Sequence, residues 1–185
     1  MIEEIKADAD ERMGKSLDAL RSTLGRIRTG RANPSLLDGI EVSYYGNDTP
    51  LNQVASITVE DARTLAISPW EKSLIPEIQK ALLKSDLGIT PSATSDLIRL
   101  PLPALTEENR RDLARQAKHE AEGARVAVRN IRRDAIHDVR ELLKEKEVAE
   151  DAGHKAEEDI QKLTDARIGE IDSVLGAKEA DLMEI

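Results

Sequence analysis

From Leu113 to Leu142 the chain places an apolar residue at every third or fourth position: Leu113, Ala117, Ala121, Ala124, Val128, Ile131, Ala135, Val139 and Leu142. Such steps collect the residues on one face of an α-helix, and a run this long predicts a helix from Thr106 to about Lys146. Thr106 is placed to cap it, with Glu107 and Glu108 in the first turn, where the helix dipole favours acids. A helix of that length cannot hide its stripe alone. Ile160, Leu163, Ile171, Val174, Leu175 and Leu182 predict a second long helix after a break near Asp151-Ala152-Gly153. Ile2, Ile5, Ala9, Met13, Leu17, Leu20, Leu24 and Ile27 predict another at the start of the chain, stopping at Thr29-Gly30. The economical arrangement is a long antiparallel three-helix bundle. Aromatic residues are 2% of the chain and Phe is absent, so the seam must be built from Leu, Ile, Val and Ala.

Between the first two helices the period changes. Ile40, Val42 and Tyr44 alternate with Glu41 and Ser43; Gly46-Asn47-Asp48 is turn chemistry; Leu51 to Val59 continues as strand. Thr64-Leu65-Ala66-Ile67 is a short strand ending at Pro69. Leu74, Ile75, Ile78, Leu82 and Leu83 have helical spacing up to Gly88, with Pro76 pushing the helix start to Ser73 or later. Leu97 to Leu100 is a last strand before Pro101-Leu102-Pro103. The fold class is therefore α+β: a discontinuous bundle of residues 1–30 and 106–185 carrying an inserted small β/α/β domain, residues 31–105. The two crossings, at Gly30-Arg31 and Pro103-Ala104-Leu105, are the expected hinge.

Several chemistries are excluded or unsupported. There is no cysteine, hence no disulfide or thiolate site. The N-terminus lacks a secretory pattern and no apolar run approaches the ~18 residues of a membrane span, so a cytoplasmic location is expected. Gly14-Lys15-Ser16 resembles the tail of a phosphate-binding loop, but position 9 is Ala and no strand precedes it. His119, His137 and His154 lack metal-ligand spacing, and no nucleophile elbow is present. Asn47-Asp48-Thr49 is read as a hairpin tip and Glu157-Glu158 as exposed helix charge. Neither an enzyme site nor a cofactor is expected.

Charge distribution carries the positive signal. The chain has a net charge of −9, yet Arg110 to Arg133 holds eight Lys or Arg against three acids. At 100° per residue, Arg111, Arg115, Lys118, Arg125, Arg129, Arg132 and Arg133 lie within about 60° of a common direction, well away from the apolar stripe. Glu122 interrupts the row. A solvated helix face usually mixes signs, whereas this one is nearly all positive, and the mutual repulsion is easier to understand if a polyanion offsets it. Guanidinium groups can hold phosphate bidentately. A straight row without aromatic platforms suits folded RNA read by shape and backbone. Arg28 and Arg31 could extend the surface or simply cap the first helix. The alternative is a helical adaptor whose basic face is only solvated.

The chain resembles the bacterial ribosome recycling factor family from end to end. The resemblance is most specific in Ile27-Arg28-Thr29-Gly30-Arg31-Ala32-Asn33-Pro34-Ser35-Leu36-Leu37. It continues through Tyr44-Tyr45-Gly46, Thr49-Pro50-Leu51 and Val59-Glu60-Asp61-Ala62-Arg63. Further matches are Arg99-Leu100-Pro101-Leu102-Pro103, Leu105-Thr106-Glu107-Glu108, the run Ala124 to Asp134 and Gln161-Lys162-Leu163-Thr164-Asp165. The resemblance implies an L-shaped molecule of tRNA-like outline, acting as a monomer. Its helical domain would dock on large-subunit rRNA through Arg129 and Arg132 first. With elongation factor G and GTP it would split the post-termination ribosome and release messenger and tRNA, GTP hydrolysis belonging to the elongation factor.

Overall fold

The computed structural model describes residues 1–184. Three long helices dominate it: α1 (Ile2–Gly25), α4 (Glu107–Lys144) and α5 (Glu150–Met183). At 1.5 Å per residue α4 and α5 are each more than 50 Å long. Side-chain pairs set their directions. Arg125 meets Asp172, Arg132 meets Gln161 and Arg140 meets Glu157, so α4 and α5 run antiparallel. Lys6 meets Asp159 and Asp10 meets Arg167, so α1 runs parallel to α5 and against α4. The bundle core joins small to large. α4 contributes Ala117, Ala121, Ala124 and Ala135 with Val128, Ile131 and Val139. Opposite them lie Met13, Leu17 and Leu20 of α1 and Ile160, Ile171 and Leu175 of α5. Alanine on one helix lets the backbones approach while Leu and Ile fill the seam, and no aromatic ring is needed.

α4 begins where expected: the Asn109 N–H donates to Thr106 Oγ1 at 3.1 Å, a side-chain N-cap. The break before α5 lies earlier than Asp151-Ala152-Gly153. Lys146 N–H donates to the Leu143 carbonyl and Glu147 N–H to that of Leu142, while Lys146 takes φ +57. This pair of bonds is the Schellman closure of a helix, normally built on glycine. Gly153 instead sits inside the first turns of α5, because a Cβ there would meet Leu143 at 2.5–2.7 Å. The first helix also stops sooner than expected, at Gly25, although Gly30 does hold a left-handed φ of +82 within the following connection.

The intervening segment forms β1 (Glu41–Tyr44), β2 (Asn47–Pro50), the helical turn α2 (Leu51–Val54), β3 (Ala55–Asp61), β4 (Thr64–Pro69), α3 (Ile75–Lys84), β5 (Ser92–Ala93) and β6 (Ile98–Pro101). β1 and β2 make a hairpin; β3-β4-β6-β5 make an antiparallel sheet. The hairpin turn is Tyr45-Gly46, both at positive φ, one residue earlier than Gly46-Asn47-Asp48, since Tyr44 pairs with Asn47. Leu51 to Val54 is helical where strand was expected. Leu51 and Val54 are both buried, and a spacing of three puts them on one side only in a helical turn. Pro76 lies in the first turn of α3, which ends at Lys84, short of Gly88. Ser92–Ala93 was not anticipated as strand. Leu65, Ile67, Ile78, Leu82, Ile98 and Leu100 form the centre of this unit's core.

The chain divides into two compact units, residues 1–24 with 114–185, and residues 25–113. Relative to the expected crossings, both ends of the second unit reach into α1 and α4. The last residue of α1 and those just after it pack within the second unit: a Cβ on Gly25 would lie 3.5 Å from Ser35, and Arg28 donates to the Pro103 carbonyl.

Candidate nucleic-acid interface

Arg115, Lys118, Arg129 and Arg133 are exposed on α4; Arg125 and Arg132 are half-buried beside α5. This follows from the helical geometry, in which 125 and 132 are the row's positions nearest the apolar stripe. Arg125 Nη2 lies 2.6 Å and its Nε 3.0 Å from Asp172 Oδ1, while its Nη1 reaches Glu122 Oε2 at 3.1 Å. Asp172 above all, with Glu122, holds the Arg125 pKa above the usual guanidinium value. Arg129 Nη1 donates to the other Glu122 oxygen at 3.3 Å. Arg132 Nη1 donates to Gln161 Oε1 at 2.9 Å, and Gln161 in turn donates to Asp165 at 2.8 Å. Arg133 donates to Asn130 at 3.4 Å. The face is thus cationic but partly engaged from within.

Arg140 belongs to the same face. It stands seven residues beyond Arg133, pairs with Glu157 at 2.7 Å, and with Arg132, Arg133, Ile136 and His137 lines a shallow depression on α4. At 100° per residue Arg140 falls on the same side of the helix as Arg129 and Arg133, beyond the row expected from Arg111 to Arg133. The partners Asp172, Gln161 and Glu157 carry no signal in local sequence.

The remaining basic candidates lie in the second unit. Arg111 is exposed and pairs with Glu107 at 2.7 Å. Arg31 is exposed; Arg28 is half-buried, and desolvation lowers its pKa. Arg28 Nη2 donates to the Pro103 carbonyl, while its buried Nε has no hydrogen-bond partner. Both connections rest on one turn: Ala32 N–H donates to the Ala62 carbonyl at 2.8 Å and Leu102 N–H to that of Arg63 at 2.6 Å. Leu105 lies within 3.8 Å of where a Cβ on Gly30 would stand.

Gly14 is in mid-helix, 3.5 Å from the Arg167 guanidinium measured from an ideal Cβ, and Arg167 is held by Asp10 at 2.6 Å. The position packs beside an arginine between helices and has no phosphate-binding loop geometry. All three histidines are exposed, and among the described residues no cluster of His, Cys, Asp or Glu could hold a metal ion. Among those residues no helix is long and apolar enough to cross a membrane.

The model of the ribosome recycling factor family matches residues 20–183. The chain belongs to the ribosome recycling factor family. Members of this family are translation factors that recycle the ribosome, and they are not enzymes. The family's relatives in Alcanivorax borkumensis and Saccharophagus degradans are 58% and 56% identical over 185 residues, covering all of both chains. A solution structure of the ribosome recycling factor matches with a TM-score of 0.82 at 36% identity, over all of this chain and 98% of that one. Another match, with a TM-score of 0.71 at 42% identity over the whole of both chains, comes from models of the Thermus thermophilus factor and Escherichia coli elongation factor G. Those models are bound to the Escherichia coli post-termination complex. The mixed fold of long helices and a small sheet is that of the family.

Proposed function

We propose that this protein docks on large-subunit rRNA of the post-termination ribosome through the basic face of α4. With elongation factor G and GTP it then splits the subunits and releases messenger RNA and tRNA. The observation that carries the docking step is the segregation of charge: a nearly continuous cationic row on a chain of net charge −9. Phosphate contacts by Arg115, Lys118, Arg125, Arg129, Arg132 and Arg133 anchor the bundle, with Arg111, Arg28 and Arg31 as outlying contacts. Gly30, Arg31, Pro103, Ala104 and Leu105 act as a hinge. The anchoring of Ala32 and Leu102 on the Ala62-Arg63 turn supports that position, since it keeps the sheet intact up to the two crossings. The factor acts as a monomer in the cytoplasm and borrows the energy of GTP hydrolysis from its partner.

The test is binding of the protein to isolated large subunits across a salt series. Each phosphate neutralised should contribute about −0.9 to the slope of log affinity against log salt. Arg132→Ala should weaken binding about tenfold, in keeping with loss of a charge-assisted contact, while leaving helicity unchanged. A flat salt response, or an Arg132→Ala protein that binds normally, would refute the docking reading. Absence of accelerated subunit splitting with elongation factor G and GTP would refute the function.

A further inference from the structure

Glu122 is the one acid inside the basic row, and its geometry is more specific than that of a solvated helix carboxylate. Its two oxygens are divided between two arginines, Oε2 to Arg125 Nη1 at 3.1 Å and Oε1 to Arg129 Nη1 at 3.3 Å. The first is an ordinary helix pair at i,i+3. The second spans seven residues, about 10 Å of rise, and forms only because both side chains lie along the same face and stretch toward each other. A carboxylate bridging two guanidiniums presents the charge and oxygens that one non-bridging phosphate pair would present. Glu122 and Arg129 are both about half exposed, so the carboxylate can swing into solvent and an incoming phosphate can take its place on Arg129, while Arg125 is the more covered of the two arginines.

We infer that Glu122 is an internal stand-in for RNA phosphate, a carboxylate that occupies Arg125 and Arg129 in the free protein and sets how tightly, and how selectively, the face binds. The inference rests on the docking reading given above. A single small anion gains little by replacing a tethered carboxylate. A folded RNA that brings several phosphates to Arg115, Arg132 and Arg133 at once can displace it. The face is thereby kept from non-specific polyanions, and release after each round is faster than it would be without the carboxylate. Asp172 is the natural comparison: it engages Arg125 alone, from the neighbouring helix, and its removal touches only one of the two arginines.

The experiment measures binding of the full-length protein to large ribosomal subunits over a salt series, for the parent, Glu122→Gln, Arg132→Ala, Arg129→Gln and Glu122→Gln/Arg129→Gln. Two exposed charge pairs of ordinary strength correspond to about three- to tenfold in a binding constant. Glu122→Gln should therefore bind about three- to tenfold more tightly than the parent. Its salt slope should be steeper by about 1, because one more phosphate is neutralised by protein. The gain should shrink in the Arg129→Gln background, where half of the carboxylate's target is gone. Helicity and melting temperature, read by circular dichroism, should match the parent. Binding by Glu122→Gln that is unchanged or weaker, while Arg132→Ala weakens it, overturns the stand-in and leaves docking in place. Weaker binding would instead mark Glu122 as a residue that orients the arginines. Binding that ignores salt and all five sequences overturns the docking reading itself.

Discussion

The register of α4 against α5 decides which side chains meet the basic face, and one glycine holds that register beside the turn that joins them. A Cβ on Gly153 would stand 2.5, 2.6 and 2.7 Å from Leu143 Cδ2, Cδ1 and Cγ. Both methyls and the branch carbon are involved, so one methyl cannot turn aside; either the whole isobutyl group swings or the α4–α5 turn opens. Overpacking of this kind costs about 1–3 kcal/mol, and contact with three carbons belongs in the upper half of that range. Against it, alanine is favoured over glycine in a helix by about 1 kcal/mol. Gly153→Ala should therefore destabilise by about 1–2 kcal/mol, lowering the midpoint by about 3–6 °C for a chain of this size. In a Leu143→Ala background the obstruction is gone and only the helix preference is left. There the same Gly153→Ala change should stabilise by about 0.5–1 kcal/mol. Urea and thermal unfolding followed at 222 nm measure both. A stabilising Gly153→Ala in the parent, or an equal loss in both backgrounds, would refute the steric account.

The turn itself offers a gain: Lys146→Gly relieves a side chain at φ +57 within the Schellman closure and should stabilise by about 0.5–1 kcal/mol, seen as a raised urea midpoint. Acid should loosen the bundle through Asp159, whose pKa is lowered by hydrogen bonds first from Lys155 and then from Lys6 of α1. A depressed carboxyl pKa contributes stability above its ordinary value of 3.8 and loses it as pH falls through the folded value. The melting temperature of Asp159→Asn should accordingly fall less than the parent's between pH 5 and pH 2, about the range over which such a carboxylate protonates.

The periodicity of α4 was legible because a long helix needs one continuous apolar face, whatever it packs against. The same arithmetic locates the basic row from Arg111 to Arg133, and two turns further it places Arg140 on the same face. Strand alternation around Val42 and the first-turn position of Pro76 were equally readable, since each follows from local backbone geometry. Elsewhere a non-local partner decides. Leu51 to Val54 is helical because two residues three apart must face one core. The helix break falls at Lys146, a lysine in the left-handed turn, and the glycine at 153 serves instead the close approach of Leu143 across the helix pair.

The arginine row shows the same division most clearly. Residue type and spacing determined that α4 carries one apolar and one cationic stripe, because side-chain direction on a helix is set by residue number alone. Only tertiary structure decided that Arg125 faces Asp172, that Arg132 is held by Gln161, and that the face is partly engaged from within. Those contacts join residues 47 and 29 positions apart, and they depend on how two helices align, which no local pattern encodes.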